Sequence, residues 1–389
     1  MPPKEIAPKL LSWASELDDQ TLAQARRTAR LSIVEGHVAL MPDAHLGIGA
    51  TVGSVIPTRD AIIPAAVGVD IGCGVVAVET DIHAGQLPRD LNPLLRQIER
   101  RIPAGVGRGH DSRTSIAAAW FRDHDPENWR REPFTAQQKQ RAIEQFGTLG
   151  SGNHHLEVCL DERGTVWGEL HSGSRGVGNQ LATMHIDRAR QATARVDLED
   201  RDLAYFREGS TEFQDYVADM LWAQHYALAN RERMMDVLLE LLFAAAGTGT
   251  EVRRINCHHN YSVREVHRDE ELWITRKGAI RARAGDEGVI PGSMATGTYI
   301  VRGRGNPESY ESSAHGAGRR HSRRQAKKRF TVEGLEKHMA GKAWNRDRAR
   351  ALLDEIPDAY KDVDSVMDAQ RDLVEIEHAL RQVLNYKGA

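Results

Sequence analysis

A carboxylate and a thiol stand three residues apart in VGVDIGCGVV, Val67 to Val76, at Asp70 and Cys73; every other position there is apolar or glycine. The stretch reads either as a buried strand that ends in a turn, or as a backbone whose glycines clear space for a metal ion to reach both side chains. Four further segments pair metal-capable groups with small residues: MPDAHLG (41–47), GTLGSGNHHLE (147–157), HSGSRGVGN (171–179) and NCHHN (256–260). A sixth, HGAGRRHSRR (315–324), joins a histidine to a basic run.

Singly these signals are weak, since a lone Cys in a strand usually behaves as a small hydrophobe and a lone His is more often structural than a ligand. Together they supply one thiolate, one carboxylate and several imidazoles. That inventory suits a two-metal site in which the thiolate bridges the ions. In the pairs His154–His155 and His258–His259, strand geometry sends neighbours to opposite faces, so at most one of each pair faces a given site. Glycine loops beside histidines also suit phosphate, which backbone N–H groups can cradle. The usual nucleotide signatures are missing: there is no GxxxxGK[ST], no GxGxxG opening a clear βαβ unit, and no Lys-x-Asp-Gly. Nucleotidyl transfer on this chain would need another nucleophile, and histidine can serve.

The elements that must position these groups are legible in outline. Residues 37–58 and 61–80 read as buried strands broken by Gly and Pro, and strands resume at HLEVCL and TVWGEL. Residues 88–102 and 135–146 have helical character, a helical excursion is expected over about 195–246, and a strand-rich section spans 251–305. A basic helix follows, and a last helix is expected over 365–382. Chemistry-bearing segments lie on both sides of the excursion, which argues for one interleaved α/β (mixed α+β) domain over residues 1–389.

The chain has 389 residues, 40% hydrophobic content and a net charge of −3, enough for a sizeable core. Three cysteines fit a reducing cytosol better than a disulfide framework, and the N-terminus lacks a signal-peptide pattern, so a cytoplasmic protein without membrane association is expected. From Arg276 to Arg329 thirteen Lys or Arg face four Asp or Glu. Such a run is usually a solvated face, and polyanion binding becomes the better reading only where it borders a phosphate site.

Taken in order, MPDAHLG, VGVDIGCG, GTLGSGNHHLEV, LHSGSRGVGN, INCHHNYSVRE, TRKGAIRARAG, VIPGSM, HGAGR, AYKDVD and the terminal KG resemble the RtcB family of GTP-dependent RNA-splicing ligases over nearly the whole length. The resemblance implies a fold with glycine-rich strands around a central two-metal cleft. It implies two Mn2+ ions on Asp70, Cys73, His154, His171 and His259, with Cys73 bridging. The donors by themselves suit zinc better, so manganese comes from the resemblance alone. His315 corresponds to the nucleophile that forms a His–GMP phosphoramidate, and imidazole, with a reference pKa of about 6.5, keeps a free lone pair near neutrality. Asp43 either orients the His315 ring or holds a turn.

GTP contacts implied by position are Asn153, His154, His155, Leu156, Glu157, His259, Asn260, Pro291, Gly292, Ser293, Met294, Thr298, His315, Gly316, Ala317, Gly318 and Lys387. Glu157 would accept from guanine N1 and N2, Lys387 would donate to the base, and Tyr360 would stack on it. Arg175, Arg319 and Arg320 are expected RNA contacts. The implied activity joins RNA 2′,3′-cyclic phosphate or 3′-phosphate ends to 5′-hydroxyl ends through RNA(3′)pp(5′)G, in RNA repair or tRNA splicing. The expected protein is a monomer, with an archease-like activator as a further partner. Departures from the pattern are His155 for Phe, Ala295 for Gly, Thr298 for Ser, and RRHSR for a more apolar continuation of HGAGR. Two rivals use the same residues: a binuclear phosphoesterase that hydrolyses RNA ends, and an RNA-binding remnant.

Overall fold

Alternation along one strand sets the layering. In Gly74–His83, Val75 and Ala77 face one side and Val76 and Val78 the other, and all four are buried. The first pair packs with Trp167, Ile255, Val289, Ile300 and Leu380. The second packs with Leu156, Val158 and Leu170, and with Met234, Leu238 and Leu242 of the helix Thr211–Ala246. The structure is a computed structural model that describes residues 2–130, 132 and 134–388.

The main sheet runs Glu251–His258, Gly74–His83, Thr165–Ser172, His155–Leu160, Val374–Lys387, Thr298–Gly303 and Glu287–Pro291, with neighbours antiparallel throughout. Ala343–Trp344 adds to Val374–Lys387 in parallel. The sheet curls until Ile255 and Val289, from its two edge strands, share one apolar cluster, and is nearly closed. A second sheet orders Lys4–Ala7, Leu10–Ser12, Val38–His45, Val52–Thr58, Glu270–Lys277 and Asn260–His267. Strands from before and after the long helix are neighbours in both sheets, so the chain interleaves as a mixed α/β fold.

The expected helical excursion over 195–246 resolves into a 3-10 turn Arg201–Leu203, a short strand Phe206–Arg207 and one 36-residue helix, Thr211–Ala246. Ser210 caps its start by accepting from the Phe213 N–H, and Gly247 ends it with φ 74°. This helix is a spine rather than an appendage. Tyr216, Met220 and Trp222 pack into one apolar cluster, and Met234 through Leu242 into another. Helices Asn92–Arg101 and Ala136–Gln145 lie where periodicity placed them, and Ser115–Asp123 and Arg175–Ala192 are additional.

The expected last helix over 365–382 is corrected. Val363–Ala369 is helical, but Val374–Lys387 is a 14-residue strand between Thr298–Gly303 and His155–Leu160. Register shifts against both neighbours interrupt its two-residue alternation, which explains why the sequence pattern conceals it. Among the described residues no helix is long and apolar enough to cross a membrane.

Candidate active site

The ends of three adjacent strands gather the metal-capable side chains. Cys73 immediately precedes Gly74–His83, His171 lies at the end of Thr165–Ser172, and His259 immediately follows Glu251–His258. Backbone bonds zip the flanking turns together: Gly72 N–H donates to Asn260 O at 2.7 Å and His259 N–H to Cys73 O at 2.8 Å. Gly72 has φ 73°, and a Cβ there would come within 2.8 Å of Gln224 Cα on the long helix, so this turn tolerates only glycine. Two donor groups result, Asp70–Cys73–His154 and Cys73–His171–His259, and they share one sulfur. Cys73 Sγ lies 3.4 Å from His154 Nε2 and 3.3 Å from His171 Nε2, and His171 Nε2 lies 3.3 Å from His259 Nε2.

These donors fit divalent cations. Burial pushes the Cys73 thiol well above its ordinary value, with Asp70 adding to the shift and Arg231 opposing it. Burial and facing positive groups drive His171 and His259 well below theirs, which leaves neutral imidazoles with lone pairs. Burial opposes charge on Asp70, yet its contact with His154, 2.9 Å to Nε2, holds it below its usual value. His154 Nδ1 faces Leu149 O at 2.9 Å, which leaves Nε2 for the shared site. A cation among these groups offsets the cost of a buried thiolate and carboxylate.

His258 follows the strand rule, but His155 pairs across the strands with His171, its ring centroid 5.4 Å away, so it faces the same site as His154, which lies just before the strand. His155 faces Glu169 (2.8 Å), and His258 faces Gly72 O and Arg231 (2.8 and 3.2 Å), so neither joins the two donor groups.

His315 follows the short strand Ser312–Ala314, which pairs with Ala279–Arg281. Its ring centroid lies 4.7 Å from that of His259, and its Nδ1 lies 2.6 Å from Oδ2 of the fully buried Asp43. Asp43 also accepts from the His315 backbone N–H at 3.2 Å. Asp43 thus lies against both the ring and the backbone of His315.

A cleft of about 300 Å³ opens over this group. Of the expected nucleotide contacts, Asn153, His155, His259, Asn260, Pro291, Gly292, Ser293, His315, Gly316, Ala317, Gly318, Tyr360 and Lys387 line it. His154 lines an adjoining hollow instead. Leu156, Met294 and Thr298 are buried outside the cleft wall. Glu157 lies behind His155 in the strand, where its carboxylate accepts from Asn385 Nδ2 at 2.6 Å. Burial pushes that carboxyl up to about 8, with His155 and Lys387 pulling the other way and Glu169 adding to the rise.

Of the expected RNA contacts, Arg175 lines the adjoining hollow, Arg319 packs over Tyr360 (4.7 Å to the ring centroid), and Arg320 is exposed beside Glu16.

Several site residues carried no signal in the sequence. Glu355 is buried under Lys387 (2.9 Å) and accepts from Tyr360 OH at 2.6 Å. Burial opposes its charge, but Lys387, Arg323 and Arg319 hold its carboxyl down to about 2. Lys277 lines the cleft floor and donates to Ile48 O and to Ala65 O. Arg231, from the long helix, donates to Gly72 O (2.8 Å), Ser172 O (3.1 Å) and Asn256 Oδ1 (2.9 Å), strapping together the strand ends that carry the ligands.

Comparison with known proteins matches residues 24–388 to the family model described as tRNA-splicing ligase RtcB. The chain is 45% identical to the RNA-splicing ligase RtcB of Escherichia coli (strain K12), over 94% of this chain and 93% of that protein. It is 44% identical to RtcB1 of a second Escherichia coli strain over the same shares, and 30% identical to the tRNA-splicing ligase RtcB of Nanoarchaeum equitans over 92% and 88%. Both donor groups, Asp43, His315 and Lys387 all fall inside the matched span, and the chain belongs to the RtcB family.

Proposed function

We propose that this protein is an RNA ligase that guanylylates His315 with GTP and then joins a 3′-phosphate or 2′,3′-cyclic phosphate end to a 5′-hydroxyl end, in RNA repair or tRNA splicing. One observation carries the reading. An imidazole outside both donor groups, His315, makes a T-shaped contact with His259 at 4.7 Å between ring centroids, while its Nδ1 lies 2.6 Å from Asp43 Oδ2. Hydrolysis of RNA ends by a phosphoesterase would need the donor groups but not this second pair.

With Nδ1 at Asp43, the Nε2 lone pair of His315 is directed away from the carboxylate and is free to attack the α-phosphorus of GTP. The Nε2–P bond forms as the bond to the bridging oxygen breaks, and pyrophosphate leaves. Divalent cations at Asp70, Cys73 and His154 and at Cys73, His171 and His259, manganese by the family resemblance, would supply electrophilic stabilisation of phosphoryl oxygens. Tyr360 offers a ring face to the base. Lys387, fixed by Glu355, donates to the guanine carbonyl, where adenine presents an amine. Glu157 is the proposed reader of N1 and N2 from behind His155.

Water first opens any cyclic phosphate by breaking its 2′-oxygen–phosphorus bond. The resulting 3′-phosphate attacks the phosphorus on His315, releasing the imidazole and forming RNA(3′)pp(5′)G. The 5′-hydroxyl then attacks the 3′-phosphorus and GMP leaves. An archease-like protein is the proposed activator.

Incubation with α-labelled GTP and Mn2+ tests the reading. Acid-labile label is expected on the wild type and not on His315→Ala. Absence of label, or equal label on both, would overturn it.

A further inference from the structure

Among the described residues, openings reach the donor groups from two sides. The cleft that holds His315 is one. The other is a hollow lined by Asp70, Asn153 and His154 at its inner end and by Arg141 and Arg175 further out. The basic run of the sequence borders the first opening, yet much of its charge is already matched. Arg319 and Arg323 pair with Glu355, Arg323 and Lys327 with Asp354, and Arg320 with Glu16.

The second opening differs. Arg141 and Arg175 form no ion pair among the described residues, and the loop whose Val106 and Gly107 line this hollow continues into Arg108, which lines another with Arg100 and Arg348. These three arginines also form no ion pair among the described residues and are exposed, whereas the adjacent Arg101 pairs with Glu240. The loop between the hollows is anchored, not adrift: Gly105 N–H donates to Gly150 O at 2.7 Å and His110 N–H to Glu144 O at 2.8 Å. Glu99 and Asp111 also line the outer hollow, and Glu99 accepts from Asn345 Nδ2. Arg175 feels the charge of Asp70 and donates to Thr148 Oγ1 at 3.1 Å, but Arg141, Arg108, Arg100 and Arg348 are exposed and form no ion pair among the described residues. Guanidinium groups lining two hollows beside a phosphoryl-transfer centre are complementary to a polyphosphate backbone.

We infer that Arg175, Arg141, Arg108, Arg100 and Arg348 form a track for the phosphodiester backbone of single-stranded RNA, so that the RNA end enters on the side of Asp70 and His154, opposite the guanylate on His315. The inference rests on the proposed ligase reading, and it moves the main RNA surface away from the basic run at Arg319–Arg329.

The test is binding of a 3′-phosphate-ended RNA single strand of about 12 nucleotides, a length within the usual range of single-strand site sizes, read by fluorescence anisotropy across a NaCl series without GTP. For the Arg100→Ala/Arg108→Ala/Arg348→Ala variant, affinity is expected to fall about 10- to 100-fold. The slope of log affinity against log salt should fall by roughly 2, at about 0.7 per lost phosphate contact. The matching triple Lys variant should restore most of both. Arg108→Ala alone, in an exposed loop, gives the same readout with a slope change of about 0.7 should the triple variant fold poorly. Unchanged affinity and slope in the Ala variants, or a loss confined to Arg324→Ala/Lys328→Ala/Arg329→Ala, would overturn the track. Because GTP is omitted, failure to label His315 sinks the ligase reading without touching this measurement.

Discussion

Asp43 Oδ2 lies 2.6 Å from His315 Nδ1, although 272 positions separate the two residues. The carboxylate is fully buried on the strand Val38–His45, so it meets the ring from a rigid support. Asp43→Ala is expected to slow guanylylation of His315 roughly 100-fold while leaving the KM for GTP within about threefold, because it acts through the imidazole and not on the nucleotide. Quench-flow labelling with GTP separates the two constants. A fall in thermal stability with no change in the labelling rate would reduce Asp43 to a structural role.

The shared sulfur predicts an asymmetry among the ligands. Cys73→Ala removes a donor from both groups and should abolish tight binding of both ions, whereas Asp70→Ala affects only one group. Metal analysis after desalting, on protein loaded with Mn2+, should show near-complete loss for the first variant and partial loss for the second. Equal retention in both would show that Cys73 does not bridge.

Arg231 touches no proposed substrate, yet it ties Gly72, Ser172 and Asn256 together. Arg231→Met should weaken metal affinity about 10- to 100-fold, in the range seen when groups supporting ligands are removed. Titration with Mn2+ followed by calorimetry measures it. Arg231→Lys should recover only part, since one ammonium cannot reproduce the guanidinium fork.

Away from the site, Glu265 and the fully buried Arg276 form a bidentate pair at 2.8 and 3.0 Å, with His267 at 2.8 Å. Burial opposes charge on Glu265, but His267 and Arg276 hold its carboxyl down to about 2, from 4.5. A depressed folded value means the pair stabilises fully above pH 4.5 and loses that contribution as pH falls through about 2. Glu265→Gln should cost about 3–5 kcal/mol at pH 7, because it strands a buried guanidinium. Urea unfolding at pH 7 and at pH 3 should show a smaller pH dependence in the variant than in the wild type.

Ala295 occupies a position where the family resemblance calls for glycine, and its φ of 71° explains the expectation. Its N–H donates to Gln382 Oε1 at 2.8 Å, which holds the turn closed. The left-handed region costs a non-glycine residue about 1–2 kcal/mol, against roughly 0.5–1 kcal/mol of extra chain entropy that glycine loses on folding. Ala295→Gly should therefore raise stability by up to about 1.5 kcal/mol, read as a higher Tm. A lower Tm would mean that the alanine methyl contributes packing that outweighs the backbone strain.

How far the sequence carried these conclusions depends on the kind of signal involved. Each of the five candidate ligands sits in a short segment with a fixed relation to glycines, so Asp70, Cys73, His154, His171 and His259 can be picked out from the sequence before their convergence is visible. Strands at HLEVCL and TVWGEL were equally plain, because both are runs of buried residues. The C-terminal strand was hidden by its two register shifts, and the helix Arg175–Ala192 by glycines at 176 and 178 in its first turn and by the lack of a capping side chain. Glu355, Arg231 and Lys277 left no mark because their importance is purely spatial. Each is an ordinary charged residue until folding buries it beside Lys387, the ligand-bearing turns or the cleft floor. The sequence of the basic run also does not show that carboxylate partners for part of it, Asp354 and Glu355, come from a different part of the chain.

The common sulfur has one more implication, for oxidative damage. Conversion of Cys73 to a sulfenic acid would withdraw a ligand from both groups in a single event, so inactivation by peroxide should be all-or-none per molecule rather than graded. With only 2% of its surface exposed, the residue is shielded by the same walls that carry the two donor groups, and a metal-loaded protein should outlast a chelated one under the same oxidant.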